Sequence, residues 1–273
     1  MLRGLANRIE QQLWARRAYK TVLRRWTALP DLQSCIDSLA ALHAAREIAP
    51  IEMAFPTGRR ILVIAPHPDD EMIGPGGTLL GALDNGSTVR VLYLTSGGRD
   101  AETMVRREAE AEAAGKACGY DTHFLHLTDF AESLTDEAIE SAAAAIAEFN
   151  PELLFVSFFA DDHPEHRRAS ELLTVSHDRG LLPGRIEIWA YQVYTAVIAN
   201  VIVDVTATRQ RKAAAIQLFH SQMQRRDWAH FAAGLTAYNS RFLPGKAARH
   251  AEMFHVAPLT DYADLCRPYF NAA

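Results

Sequence analysis

The chain has 273 residues, a formal net charge of -5, 49% hydrophobic residues and 22% charged residues. This is the make-up of a soluble globular protein with one large or two modest domains. The acidic balance argues against a nucleic-acid binder, whose footprint is basic, and no apolar run approaches the ~20 residues that cross a bilayer.

The N-terminal region shows neither an apolar signal core nor a small-residue cleavage site, so a cytoplasmic location is expected. Cys35, Cys118 and Cys266 are scattered and form no CxxC pair. They fit free thiols in a reducing compartment rather than a thiolate metal site.

Residues 1–50 carry eight Arg and Lys against four Asp and Glu, so a basic segment precedes an acidic body. Leu5, Ile9, Leu13, Tyr19, Leu23 and Trp26 recur at roughly helical spacing, which predicts a helix over 5–29 that Pro30 ends. A second helix is expected over 32–48. The segment reads either as an arm packed on the body or on a second subunit, or as a basic amphipathic helix in peripheral contact with the inner face of an anionic membrane.

From Arg59 the pattern alternates. Strands are predicted at Ile61–Ala65, Thr88–Thr95, Thr122–Leu127, Leu153–Phe158, Ile186–Tyr191 and Val201–Val205. Helices are predicted at Ile73–Leu83, Ala101–Cys118, Asp136–Phe149, Glu165–Arg179 and Arg209–Gln224. Asp84-Asn85-Gly86 signals a turn, and Ser133-x-x-Asp136 a capping box. Short apolar strands between helices imply βαβ units. The fold class is therefore α/β, a Rossmann-like and mostly parallel sheet with helices on both faces. It is assigned to residues 59–273, after an N-terminal helical extension over 1–58. From Trp228 onward no regular pattern is legible.

Two predicted strands run directly into chemistry. Ile61–Ala65 ends in Pro66-His67-Pro68-Asp69-Asp70-Glu71, and Leu153–Phe158 ends in Phe159-Ala160-Asp161-Asp162-His163-Pro164-Glu165-His166-Arg167. Parallel sheets bind ligands beyond the carboxyl ends of their strands, and that much negative charge there calls for a counter-ion. Three protein ligands with one open position make a catalytic divalent site. His67 and Asp70 suit two of them, and His166 and His163 bring imidazole from the second cluster. Imidazole with carboxylate favours Zn2+, while Fe2+ or Mn2+ also fits these donors. Asp69 adjoins a ligand and is left free to move a proton. Taken singly these residues have blander uses, because Asp161 and Asp162 suit helix capping and Asp69-Asp70-Glu71 suits a helix N-terminal dipole.

These residues resemble the PIG-L/LmbE-like zinc deacetylases. His67-Pro68-Asp69-Asp70-Glu71 matches that family's first motif, and His163-Pro164-Glu165-His166-Arg167 resembles its second, in which aspartate is commoner at the position of Glu165. Thr95-Ser96-Gly97-Gly98, Arg107-x-x-Glu110, Cys118-Gly119-Tyr120, Asp129, Val203–Thr206, Lys212, Ala215, Ser221-Gln222 and Ala251–Phe254 extend the likeness across roughly 59–257.

The resemblance implies removal of an N-acetyl group from a glucosamine-type sugar conjugate. His67, Asp70 and His166 would bind zinc, and Asp69 would be the general base. His163 would stabilise the oxyanion or protonate the leaving amine. Arg107 and Asp129 would hold sugar or aglycone hydroxyls, and Tyr191 and Tyr194 are candidates for an assisting tyrosine. Arg107 and Glu110 could instead be a surface pair of small energetic weight. The competing functions are a metal-dependent hydrolase of another amide and a non-catalytic carbohydrate-binding protein. A nucleotide-binding protein is disfavoured, because no GxGxxG follows the first strand.

Overall fold

The computed structural model describes residues 36, 49–98, 100–128, 130 and 133–270. Apart from Ile36, the expected helices over 5–29 and 32–48 lie outside the described residues. The strands are β1 (Ile51–Met53), β2 (Arg60–Ala65), β3 (Thr88–Tyr93), β4 (Asp121–Phe124), β5 (Leu153–Ser157), β6 (Glu187–Tyr191), β7 (Val201–Asp204) and β8 (Ala251–Pro258). The helices are α1 (Asp70–Ile73), α2 (Gly76–Asp84), α3 (Ala101–Cys118), α4 (Asp136–Phe149), α5 (Pro164–Asp178), α6 (Arg209–Ile216), α7 (His220–Met223), α8 (Trp228–Asn239) and α9 (Leu259–Phe270).

The described strands form one sheet in the order β1-β7-β8-β6-β5-β2-β3-β4. β8 runs antiparallel between β6 and β7, and every other pairing is parallel. The fold is thus α/β with a mixed, mostly parallel sheet. β1 was not anticipated. It pairs with β7 and brings residues 51–53 into the sheet.

Both faces are covered, which is why β2 reads as an unbroken apolar run. Ile61, Val63 and Ala65 point into a core shared with α2, α3, α6 and α8. Leu62 and Ile64 point into a second core under α4, α5 and α9. Each such side chain removed from water contributes about 1.5–3 kcal/mol before entropy is counted.

Helix ends follow local chemistry. Asp100 accepts from Thr103 N at 2.8 Å and starts α3, and Gly119, at φ 91°, closes it. For α4 the cap is Thr135, which accepts from Ala138 N at 3.2 Å, in place of the Ser133 box expected.

Two predicted helices differ from those observed. The one expected from Ile73 starts instead at Gly76, after Pro75, and the unanticipated short α1 precedes it. Phe219 leaves helical geometry, at ψ 61°, and turns into the core, which separates α6 from α7. The region from Trp228 is regular after all, forming α8, β8 and α9. Among the described residues no helix is long and apolar enough to cross a membrane.

The chain lays down β2, β3 and β4 outward in one direction. It then returns to place β5 on the other side of β2. The reversal opens a crevice beyond the ends of β2 and β5, the place where α/β sheets bind ligands.

Candidate metal and catalytic site

Both strand-end clusters meet in that crevice. The ring centroids of His67 and His163 lie 4.9 Å apart, those of His163 and His166 4.9 Å, and those of His67 and His166 5.5 Å. One nitrogen from each ring falls within 4.8 Å of the others, so this triad could hold a metal ion. Asp70 reaches between two of the rings. Its Oδ2 is 3.1 Å from His67 Nδ1 and 3.2 Å from His166 Nε2.

The surroundings demand positive charge. Asp69, Asp70, Glu71 and Asp161 are buried, and Glu165 is half-buried beside them. Among the described residues, Arg107 is the guanidinium that faces this group, with Nη2 3.8 Å from Asp69 Oδ1. Buried carboxylates in such excess favour a bound cation. Both ring nitrogens of His166 are fully buried, and neither makes a directed hydrogen bond. The donor set of imidazoles and carboxylates therefore fits a divalent ion of the zinc type.

The acids next to each other are held in opposite states. Burial and the Asp70 carboxylate beside it push Asp69 well above the usual carboxylate range. Burial acts the same way on Asp70, but His166 and His67 overcome it and hold Asp70 well below that range. Asp69 also has strained backbone, with φ 117°, at the start of α1. Its N–H donates to Glu71 Oε2 at 3.1 Å, and its carbonyl accepts from Met72 N and Ile73 N at 3.0 and 2.9 Å.

The imidazoles differ as well. Burial lowers His166, but Asp70 and Asp161 outweigh it and lift the ring to about 10. Burial, with His67 and His166 nearby, drops His163 to about 4. His163 Nδ1 accepts from Glu165 N at 3.3 Å, so the neutral ring keeps its proton on Nε2 and can donate it. The Glu165 carboxylate contacts His67 Nε2 rather than His163; its extra methylene, compared with aspartate, carries it across the crevice.

Asp161, which the sequence offered as a helix cap, joins the histidine cluster. Its Oδ1 lies 3.2 Å from His166 Nδ1 and accepts from His163 N at 3.0 Å. Its Oδ2 accepts from Tyr194 N and Thr195 N at 3.0 and 3.2 Å. One carboxylate thus lies behind an imidazole, within ion-pair distance, and joins two loops. The sequence signal was a doubled acid immediately before the histidines.

Arg107 is buried and committed to backbone. Nη2 donates to Pro68 O at 2.8 Å and Nη1 donates to Gly97 O. A Cβ at Gly97 would collide with the guanidinium, and the φ of 63° there also favours glycine. Glu110 does not pair with Arg107 on the surface. It accepts from Ser221 N at 2.9 Å and Ser221 Oγ at 2.6 Å, tying α7 to α3.

Tyr191 is buried, and its hydroxyl donates to Ile64 O at 2.9 Å, which makes it a packing residue. Tyr194 is half-exposed, with its ring 5.3 Å from that of His166. Asp129 lies outside the described residues.

Behind the loop, Glu252 accepts from Gly77 N and Thr78 N at 2.7 Å each and pairs with Lys212 Nζ at 2.7 Å. Lys212 Nζ also donates to Ile73 O and Gly74 O at 2.9 and 2.8 Å. The pair is buried and satisfies the end of α1 and the start of α2 together.

Residues 62–176 match the PIG-L family, described as GlcNAc-PI de-N-acetylase. The chain is thus similar to that family over 115 of its 273 residues. The matched segment holds both strand-end clusters and every side chain of the crevice described above except Tyr194. Among curated proteins, it is 29% identical over 136 residues to the diacetylchitobiose deacetylase of Thermococcus kodakarensis. That alignment covers 45% of this chain and 50% of the relative, so the chain spans about half the length of that relative.

Among solved structures, a conserved protein of Thermus thermophilus superimposes with a TM-score of 0.63 at 26% identity, over 72% of this chain and 94% of that one. The N,N'-diacetylchitobiose deacetylase of Pyrococcus horikoshii shares the fold with a TM-score of 0.62 at 24% identity, over 75% of this chain and 85% of that one.

Proposed function

We propose that this chain is a metal-dependent hydrolase of the PIG-L type that removes the N-acetyl group from an N-acetylglucosamine-type sugar in a glycoconjugate. The observation that carries this reading is the convergence of three imidazoles, His67, His163 and His166, with the Asp70 carboxylate between two of the rings and the buried Asp69 beside it. The family match over residues 62–176 and the similarity to deacetylases support it.

His67, Asp70 and His166 would hold the ion, since the Asp70 carboxylate already spans the two rings. A Zn2+ ion there would polarise an amide carbonyl and acidify a coordinated water. Asp69, buried next to the Asp70 ligand, would as carboxylate take up the proton released by the attacking water and return it to the leaving amine. His163 directs its Nε2 proton at the developing oxyanion, a contribution worth ~10²–10³ in rate. Asp161 keeps the His166 ring in place. Arg107 is bonded to the loops on both sides and so positions Asp69, while Asp129 remains assigned to sugar hydroxyls. Tyr194 offers a ring face at the mouth, suited to stacking on a pyranose.

The test pairs elemental analysis of the purified chain with acetate release from N,N'-diacetylchitobiose and other N-acetylglucosaminyl conjugates. The expected outcome is one divalent ion per chain, acetate from at least one conjugate, and loss of turnover with a chelator that added zinc reverses. Acetate release that survives complete chelation would overturn the mechanism. Zinc held without acetate from any conjugate would favour hydrolysis of another amide or sugar binding alone.

A further inference from the structure

α8 carries no Asp, Glu, Lys or Arg along its 12 residues, and the exposed His230 is its one basic side chain. Ala229, Ala232, Thr236 and Asn239 pack inward. Beside that buried face runs a second stripe, Trp228, Phe231, Leu235 and Tyr238, which continues to Phe242 in the 3-10 turn Ser240–Phe242. These positions are spaced three and four apart and share one side of the helix. Phe231 is 52% exposed, Tyr238 65% and Phe242 41%. A solvated helix normally shows charge there, and a contiguous aromatic patch marks a docking surface.

Cations frame the stripe at both ends. Arg226 Cζ sits 5.4 Å from the Trp228 ring centre and 5.5 Å from that of Phe231. Arg241 Cζ sits 3.8 Å from Tyr238 and 4.2 Å from Phe242. Arg225 and Lys246 flank them. Between residues 220 and 250 Asp227 is the only acid, in a chain whose net charge is -5.

This charge selects the occupant. A second copy of the chain, related by a two-fold axis, would bring arginines against arginines. The chain's own N-terminal segment carries the same basic excess, eight Arg and Lys against four Asp and Glu over residues 1–50, and so lacks complementary charge. Aromatic side chains rimmed by arginine fit a lipid surface, with rings at the acyl boundary and guanidinium groups at phosphate level.

We propose that α8 and the turn Ser240–Phe242 dock this protein on an anionic lipid bilayer. The docked face adjoins the crevice. The Trp228 ring is 5.7 Å from Tyr194, and Tyr194 is 5.3 Å from His166. The mouth of the site would then open beside the lipid headgroups.

The test is co-sedimentation of the full chain with vesicles of phosphatidylcholine alone and of phosphatidylcholine with phosphatidylglycerol in equal parts. The wild-type protein is expected to pellet with the anionic vesicles only, and less so as salt rises. Two double variants, F231S/Y238S and R226E/R241E, change exposed side chains and are checked for folding by thermal melting. Each is expected to lower the vesicle partition coefficient by about tenfold or more. The proposal is overturned if the wild-type chain does not bind anionic vesicles, or if both variants bind undiminished. A concentration-dependent dimer that F231S/Y238S dissolves also overturns it, because the stripe would then belong to a second copy. None of these readings uses enzymatic activity, so they stand apart from the deacetylase assignment.

Discussion

The loop after β2 and the loop after β5 close on the same crevice, and they reach their charge states by different routes. On the β2 side the acids are adjacent in sequence, so burial and mutual repulsion set them: Asp69 is pushed up, and Asp70 is held down by the rings it touches. On the β5 side the residues are imidazoles, and carboxylates from both loops set them. His166, between Asp70 and Asp161, gains a proton readily. His163, facing the other rings, loses one. Neither loop could produce this division alone. The first lacks enough imidazole to fix an ion, and the second lacks the strained turn that sets a carboxylate apart from its neighbour.

The division can be broken most severely at Asp69. D69N keeps the shape of the turn and removes the proton acceptor. Turnover is expected to fall by ~10²–10⁴ with metal content unchanged; near-normal turnover with metal retained would dismiss Asp69 as the base. The β5 side is probed next by D161N, which leaves the His166 ring without its rear carboxylate. Metal affinity is expected to fall by ~10–100-fold, read by competition with a chromogenic chelator, and equal affinity would reduce Asp161 to a loop tie.

The smallest effect concerns Glu71. Burial raises it to about 7 despite bonds from Tyr93 and Tyr120 hydroxyls at 2.8 and 2.9 Å. The folded state therefore binds this proton more tightly than the unfolded chain, whose value is near 4.5. Its stabilisation is complete below that lower value and is lost as pH rises towards about 7. E71Q should lack this component, so the stability difference between wild type and variant, from urea midpoints, should change across that window. Parallel curves would show that Glu71 does not titrate there.

Much of this arrangement was legible in the sequence, for identifiable reasons. β2 and β5 announce themselves because burial on both faces leaves a run of apolar residues, and the histidines follow at once. The helices over Ala101–Cys118 and Asp136–Phe149 were placed with the bounds observed, because an N-cap and a left-handed C-terminal residue mark each of them. The late part of the chain was not legible. α8 has no polar face to give it a period, and β8 is enclosed by β6 and β7 yet interrupted by Glu252 and His255. In the site, the roles of Asp161 and Arg107 depend on loops 33 and 39 residues away, at Tyr194 and Pro68, distances over which spacing carries no signal.

The Lys212–Glu252 pair sets a limit on dissection of this protein. A fragment stopping near residue 176 would contain every proposed metal donor and the proposed base, yet two peptide carbonyls and two amide protons at the hinge between α1 and α2 would lose their partners. The turn that bears the proposed base is clasped by Glu252 of β8, so the smallest unit able to preserve its shape extends well past the segment that bears its signature.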